Sequence, residues 1–193
     1  MTEQASKVSF DIPPYLSTLI GGKGATDEAS MDIAILATKE NLSKGGGPFG
    51  ALVVDSSSGV IVGAGANLVT SQKLSVLHAE VVALMMAERN LGGFGLGNFR
   101  GTYTLYTTAE PCSMCRGALL WAGVSRIVIG ASREAVESIT KFDEGPPPDA
   151  KWREEFSARG ISITEGVRRA ECEALLELFV TGKNVHYGKT RKE

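Results

Sequence analysis

Histidine and cysteine are scarce in this chain, with two histidines and three cysteines among 193 residues. So few cysteines cannot build the disulfide framework of a small secreted domain, and they fit a reducing compartment better. Long apolar runs are missing as well. No stretch approaches the roughly 18 residues of a membrane span, and the first residues lack the charged and apolar segments of a secretory signal. These absences predict a cytoplasmic protein with no membrane contact. Neither sign of charge dominates: 20 basic residues against 22 acidic ones leave a net charge of −2. That balance offers no general attraction to nucleic acid. The one basic cluster, Lys183, Lys189, Arg191 and Lys192, reads as a solvated tail.

The scarce residues are concentrated. His78-Ala79-Glu80 and Pro111-Cys112-Ser113-Met114-Cys115 supply three soft metal ligands, His78, Cys112 and Cys115, and one carboxylate, Glu80. Zn²⁺ takes imidazole and thiolate readily, and three protein ligands leave the fourth tetrahedral position for water, as in catalytic rather than structural sites. The remaining histidine and cysteine, His186 and Cys172, lie far along the sequence. Cys172 shares a helical face with Leu175, Leu176 and Phe179 and reads as a small core residue. A redox Cys-x-x-Cys does not require a preceding proline or an upstream His-x-Glu. A structural zinc knuckle pairs two close-spaced ligand couples, and this chain has one.

Hydrophobic residues make up 43% and charged residues 22%, which excludes a wholly disordered chain, and the length suits a single core. Thr26 starts a helix whose first turn holds Asp27 and Glu28, with Ala29, Ile33, Leu36 and Ala37 as its inward stripe. It ends before Gly45-Gly46-Gly47. Two strands follow, Ala51 to Val54 and Val60 to Ala64, joined through Asp55 to Gly59 as a hairpin. His78 to Asn90 reads as a helix apolar on several sides. Thr102 to Thr108 is a strand, Cys112 to Ala122 a helix and Ser125 to Gly130 a strand, a succession that requires a parallel crossover. A short helix near Glu134, a stiff Pro146-Pro147-Pro148 connection, a strand near Ile161 to Ile163 and a helix from Arg168 to Phe179 complete the chain. Gly45 to Gly50 matches a dinucleotide-loop pattern, but a helix precedes it and a strand follows, so no nucleotide cofactor is expected.

On the His-x-Glu and Pro-Cys-x-x-Cys motifs, the chain resembles the cytidine-deaminase-like superfamily of zinc deaminases. The resemblance runs from about Thr26 to Glu144. It implies an α/β fold, a three-layer α/β/α sandwich around a five-stranded mixed sheet, with residues 1–24 as an irregular extension and 25–193 as the deaminase domain. It also implies that Glu80 shuttles protons. Gly47-Pro48-Phe49-Gly50-Ala51 resembles the segment lining the base pocket, which makes Phe49 a binding residue. Asn67 resembles the family asparagine that hydrogen-bonds the substrate. Phe142-Asp143-Glu144-Gly145-Pro146 resembles the acidic segment of the guanine deaminase branch, which assigns Glu144 to base recognition and to proton transfer. Tyr187 resembles the C-terminal aromatic that closes over bound guanine.

The expected activity is therefore zinc-dependent hydrolysis of a free nucleobase, guanine to xanthine and ammonia, with triazines such as ammeline as further substrates. The alternatives are tRNA adenosine deamination, cytosine deamination, and a catalytically idle fold used as a binding module. The expected partner besides the nucleobase is a second copy, since the resemblance implies a homodimer. Apolar residues around Trp121 could serve the core or that interface.

Overall fold

The computed structural model describes residues 8–144, 151–182 and 184–187. The triple proline and the four basic residues of the tail lie outside them. The helix started by Thr26 forms as its sequence dictates: the Thr26 hydroxyl accepts from the Ala29 N–H at 3.1 Å, satisfying one of the free donors of the first turn. In chain order the elements are α1 (Pro14–Ser17), α2 (Asp27–Ser43), β1 (Gly50–Asp55), β2 (Ile61–Ala66), α3 (Val69–Gln72), α4 (Ala79–Leu91), β3 (Tyr103–Ala109), α5 (Ser113–Ala122), β4 (Arg126–Ala131), α6 (Arg133–Thr140), α7 (Trp152–Ala158), β5 (Ser162–Glu165) and α8 (Arg169–Thr181).

The five strands form one sheet in the order β2-β1-β3-β4-β5. β1 is antiparallel to both β2 and β3, while β3, β4 and β5 run parallel. The change of direction follows from the connections. A short hairpin can only return antiparallel, whereas a strand joined through a helix crosses over to lie parallel. Every residue of β3 is buried, as a strand covered on both faces must be. Along β1, Leu52 and Val54 pack with α2 and α8, and Ala51 and Val53 pack with α4, α5 and α7. These two cores on either face of the sheet are the expected three layers.

Gly65 sets how closely α4 lies on the sheet. A Cβ there would collide with the backbone oxygen of Ala79, so only glycine lets the first turn of α4 rest on β2.

Three sequence expectations need adjustment. Leu36 is 63% exposed, because the inward face of α2 is Met31, Ala34, Ile35, Thr38 and Leu42; a buried threonine in the stripe disguised its phase. The segment before Gly24 is less irregular than expected. Leu16 is fully buried, and Gly21 and Gly22 exchange backbone hydrogen bonds with Ile61, so residues 14–24 cover the edge of β2. The helix α7 was not expected, since one Trp152 and Phe156 pair, edge to face at 5.2 Å, is its whole apolar signal. Trp121 is 91% exposed and belongs to the surface. No helix among the described residues is long and apolar enough to cross a membrane.

Candidate active site

The metal-binding residues sit at two helix starts that meet beyond the C-terminal end of β3. His78 is the N-cap of α4, with φ −70° and ψ 157°. Its extended backbone explains how His78 and Glu80, two apart in sequence, face one pocket: only Glu80 is in helical register. Cys112 is the N-cap of α5, with φ −65° and ψ 173°, and Cys115 follows on the first turn. The His78 side chain makes no capping hydrogen bond to α4, so its ring is left for a metal.

The ligand atoms of His78, Cys112 and Cys115 all lie within 4.8 Å of one another. His78 Nδ1 is 3.6 Å from the Cys112 sulfur and 3.7 Å from the Cys115 sulfur. Zinc bonds of about 2.3 Å to sulfur and 2.0–2.1 Å to nitrogen in a tetrahedron place such atoms about 3.5 Å apart. The donor set and its spacing fit Zn²⁺, which these three residues would hold through one nitrogen and two sulfurs. Glu80 does not join this ligand group.

The electrostatics suit that occupant. The Cys112 thiol is pulled down to about 4 by the hydrogen bond from Cys115 and by His78. The same bond, together with burial, pushes Cys115 up; the pair keeps one proton, which a cation would displace. Burial opposes charging of His78, yet the Cys112 hydrogen bond and the Glu80 charge outweigh it and raise its pKa. Glu80 is buried, accepts from the Cys115 thiol at 3.3 Å, and is raised chiefly by desolvation. A carboxyl moved toward neutrality can both take and return a proton.

A cavity of about 120 Å³ opens in front of these ligands. His78, Glu80 and Cys112 line it, with Phe49, Asn67, Glu144 and Tyr187. Thus every residue expected at the site from sequence lines one cavity, except Cys115, which is buried beneath it. Asn67 Nδ2 and the Tyr187 hydroxyl are buried without a well-formed hydrogen bond among the described residues, although the Asn67 amide lies near enough to ease the strong upward push of burial on the Tyr187 phenol. Buried polar groups are rarely left so, and both line a cavity that could hold the missing partner. Glu144 is pushed up to about 7 by burial and by the charges of Cys112 and Glu80.

Two further residues were missed. Phe142 is an aromatic hub whose ring lies 6.0 Å from Phe49 and 4.9 Å from Tyr187; in the acidic segment the carboxylate of Glu144 was the stronger sequence signal. Glu110 precedes Pro111 on the cavity wall, 3.1 Å from Arg153 and 3.9 Å from Arg116. An acid directly before Pro-Cys was its only signal. His186, a possible distant ligand, instead packs its ring on Phe142 and Phe179.

A model of the cytidine and deoxycytidylate deaminase zinc-binding region matches residues 25–131. A tRNA-specific adenosine deaminase from Haemophilus influenzae is 34% identical over 157 residues, 79% of this chain and 82% of its own length. The solved guanine deaminase from Nitrosomonas europaea is 36% identical at a TM-score of 0.84, covering 90% of this chain and 96% of that one. Another solved structure, in complex with 2,6-diaminopurine, is 36% identical at a TM-score of 0.87, covering 93% and 96%. Motif, ligand spacing and relatives agree: the chain belongs to the zinc-binding cytidine and deoxycytidylate deaminase family and is a zinc-dependent aminohydrolase.

Proposed function

We propose that the substrate is a free aminopurine, guanine, converted with water to xanthine and ammonia. The observation that carries this reading is Glu144. It places a carboxylate on the same small cavity as Glu80 and the metal ligands. A carboxylate can accept from the ring N–H and amino group of guanine together, an edge that cytosine and adenine do not present. Structural likeness to a guanine deaminase, solved also with 2,6-diaminopurine, supports the same choice.

Zinc held by His78, Cys112 and Cys115 would supply the Lewis acidity that makes water a nucleophile near neutral pH. Glu80 would take the proton that the attacking water loses and deliver it to the departing amino group, so one carboxylate acts as base and then acid. The new C–O bond forms at the amino-bearing carbon, and the C–N bond there breaks to release ammonia. Asn67 and Phe49 hold the ring, one by its free Nδ2 and one by its face. Glu144 fixes the amino edge and helps carry protons to the leaving group. Tyr187 reaches from the C-terminal segment to Gly47, where a Cβ would overlap its hydroxyl, and so closes the base in.

The tRNA reading has a sequence relative behind it. One feature weighs against it here: a net charge of −2 gives little purchase on a phosphate backbone. We propose further that the protein works as a homodimer. Met114 and Trp121, seven residues apart on one side of α5, are exposed, as are Leu120 and Phe94, and exposed apolar surface in contiguous patches marks interaction sites. Sedimentation of an active monomer at working concentration would remove this part.

The deciding experiment is ammonia release by the zinc-loaded protein from guanine, cytosine, adenosine, ammeline and tRNA at low and moderate salt. Guanine is expected to lead. Inosine formation in tRNA without xanthine formation would overturn the proposal, and silence on every substrate would favour a binding module.

A further inference from the structure

Asn41 is a buried amide near the end of α2, outside the cavity but bonded to two of the segments that shape it. Its Nδ2 donates to the backbone oxygens of Gly47 and Asn67, each at 2.9 Å. Its Oδ1 accepts from the Tyr15 hydroxyl at 3.0 Å. Both amide hydrogens and the carbonyl are therefore committed. The Gly47 N–H also reaches the Asn67 oxygen at 3.4 Å, and the Asn67 N–H donates to Phe49 at 3.0 Å. Gly47, Phe49 and Asn67 are thus laced together around a single side chain.

An amide can be seated either way round, and the choice matters here. Turned over, Asn41 would set its oxygen against two carbonyl oxygens, leaving the Gly47 oxygen without a donor and the Asn67 oxygen with only the long bond from the Gly47 N–H. Tyr15 selects against that arrangement, because a hydroxyl hydrogen pairs with the amide oxygen. Burial, with Glu40 nearby, raises the Tyr15 pKa, so the phenol keeps the hydrogen it donates. Tyr15 comes from α1, in the segment whose Leu16 is buried under the sheet. The N-terminal segment is thereby joined to the base pocket through two side chains.

We propose that Asn41, oriented by Tyr15, is a positioning residue for base binding: it fixes the Gly47 and Asn67 backbones, and so fixes where the free Asn67 amide meets the ring. This rests on the reading of Phe49 and Asn67 as base-holding residues. Neither Asn41 nor Tyr15 touches substrate, so the effect belongs on binding rather than on the chemical step.

The test uses the full-length, zinc-loaded protein with Tyr15→Phe, which keeps the ring and removes only the donor, and Asn41→Asp, which sets a second oxygen opposite the two carbonyls. Tyr15→Phe is expected to raise KM for guanine roughly 3- to 10-fold, as loss of one hydrogen bond does, with kcat within about twofold and zinc content unchanged. Asn41→Asp should raise KM further. If it does not fold, Tyr15→Phe decides alone. A purely structural role would lower the melting temperature and leave KM of the folded protein unmoved, and that result overturns the proposal. The second readout needs no substrate: the backbone amide resonances of Gly47 and Asn67 should shift in Tyr15→Phe. Unshifted resonances overturn the proposal whatever the kinetics show. Should the wild type release no ammonia from guanine, the guanine reading falls, and the resonances still decide the positioning role.

Discussion

The metal side of the site takes His78, Glu80 and Cys112, with Cys115 buried behind them, from two short stretches, each pinned to the start of one helix. The remainder draws Phe49, Asn67, Glu144 and Tyr187 from four separate segments. The first wall performs a reaction common to many amines, so its geometry has to be rigid and local. In our reading the second chooses the base, with Glu144 alone also serving proton transfer, and loops set on a fixed scaffold can alter such a wall more freely than the metal site. Family membership is accordingly carried by residues 25–131, whereas Glu144 and Tyr187, the residues that distinguish guanine in our reading, lie beyond them.

This division makes predictions that differ in kind as well as size. The largest effect should come from Glu80→Gln: turnover falls by about 10²- to 10⁴-fold or more on every substrate, while metal analysis finds zinc still bound. A mutant with near-normal kcat would end the assignment of Glu80. On the other wall, Glu144→Gln puts a donor where an acceptor is needed and leaves a buried group unpaired. It should lower kcat/KM for guanine about 10²-fold and leave zinc content unchanged. Wild-type behaviour there would reduce the acidic segment to a turn while leaving the zinc chemistry intact.

Away from both walls the effects should appear in stability. Leu16→Ala should destabilise the protein by about 2–5 kcal/mol, as truncation of a fully buried leucine does, measured by denaturant unfolding. A change within about 0.5 kcal/mol would show that residues before Gly24 do not belong to the folding unit. The smallest effect concerns Asp27, whose carboxyl is held low by paired hydrogen bonds from Arg126, with Tyr106 adding a third. A lowered folded pKa contributes stability above the unfolded value of about 3.9, lost as pH falls through the folded value. Arg126→Met should therefore lower Tm near neutrality, with the gap from wild type closing in acid. A gap independent of pH would assign the loss to packing.

The same two walls differ in how far the sequence reveals them. His78, Glu80, Cys112 and Cys115 were readable because few residue types bind zinc and their spacing at helix starts is local. The parallel crossover from β3 through α5 to β4 was readable from alternating periodicity. Leu36 went wrong because Thr38 sits in the buried stripe of α2, and hydroxyls there bond the preceding turn, as Thr38 does to Ala34 at 2.7 Å. Phe142, Glu110 and Asn41 left almost no mark, since their roles exist only once distant segments meet. Asn41 spans 26 residues to reach Asn67, and no periodicity encodes such a bond.

Guanine titrated calorimetrically into zinc-loaded Glu80→Gln and Glu144→Gln, side by side with wild type, tests the division most directly. The account predicts that Glu80→Gln binds guanine about as tightly as the wild-type KM implies while turning it over at most very slowly, and that Glu144→Gln keeps its zinc yet binds guanine far more weakly. Full guanine affinity in Glu144→Gln, or its loss in Glu80→Gln with zinc still present, would contradict it.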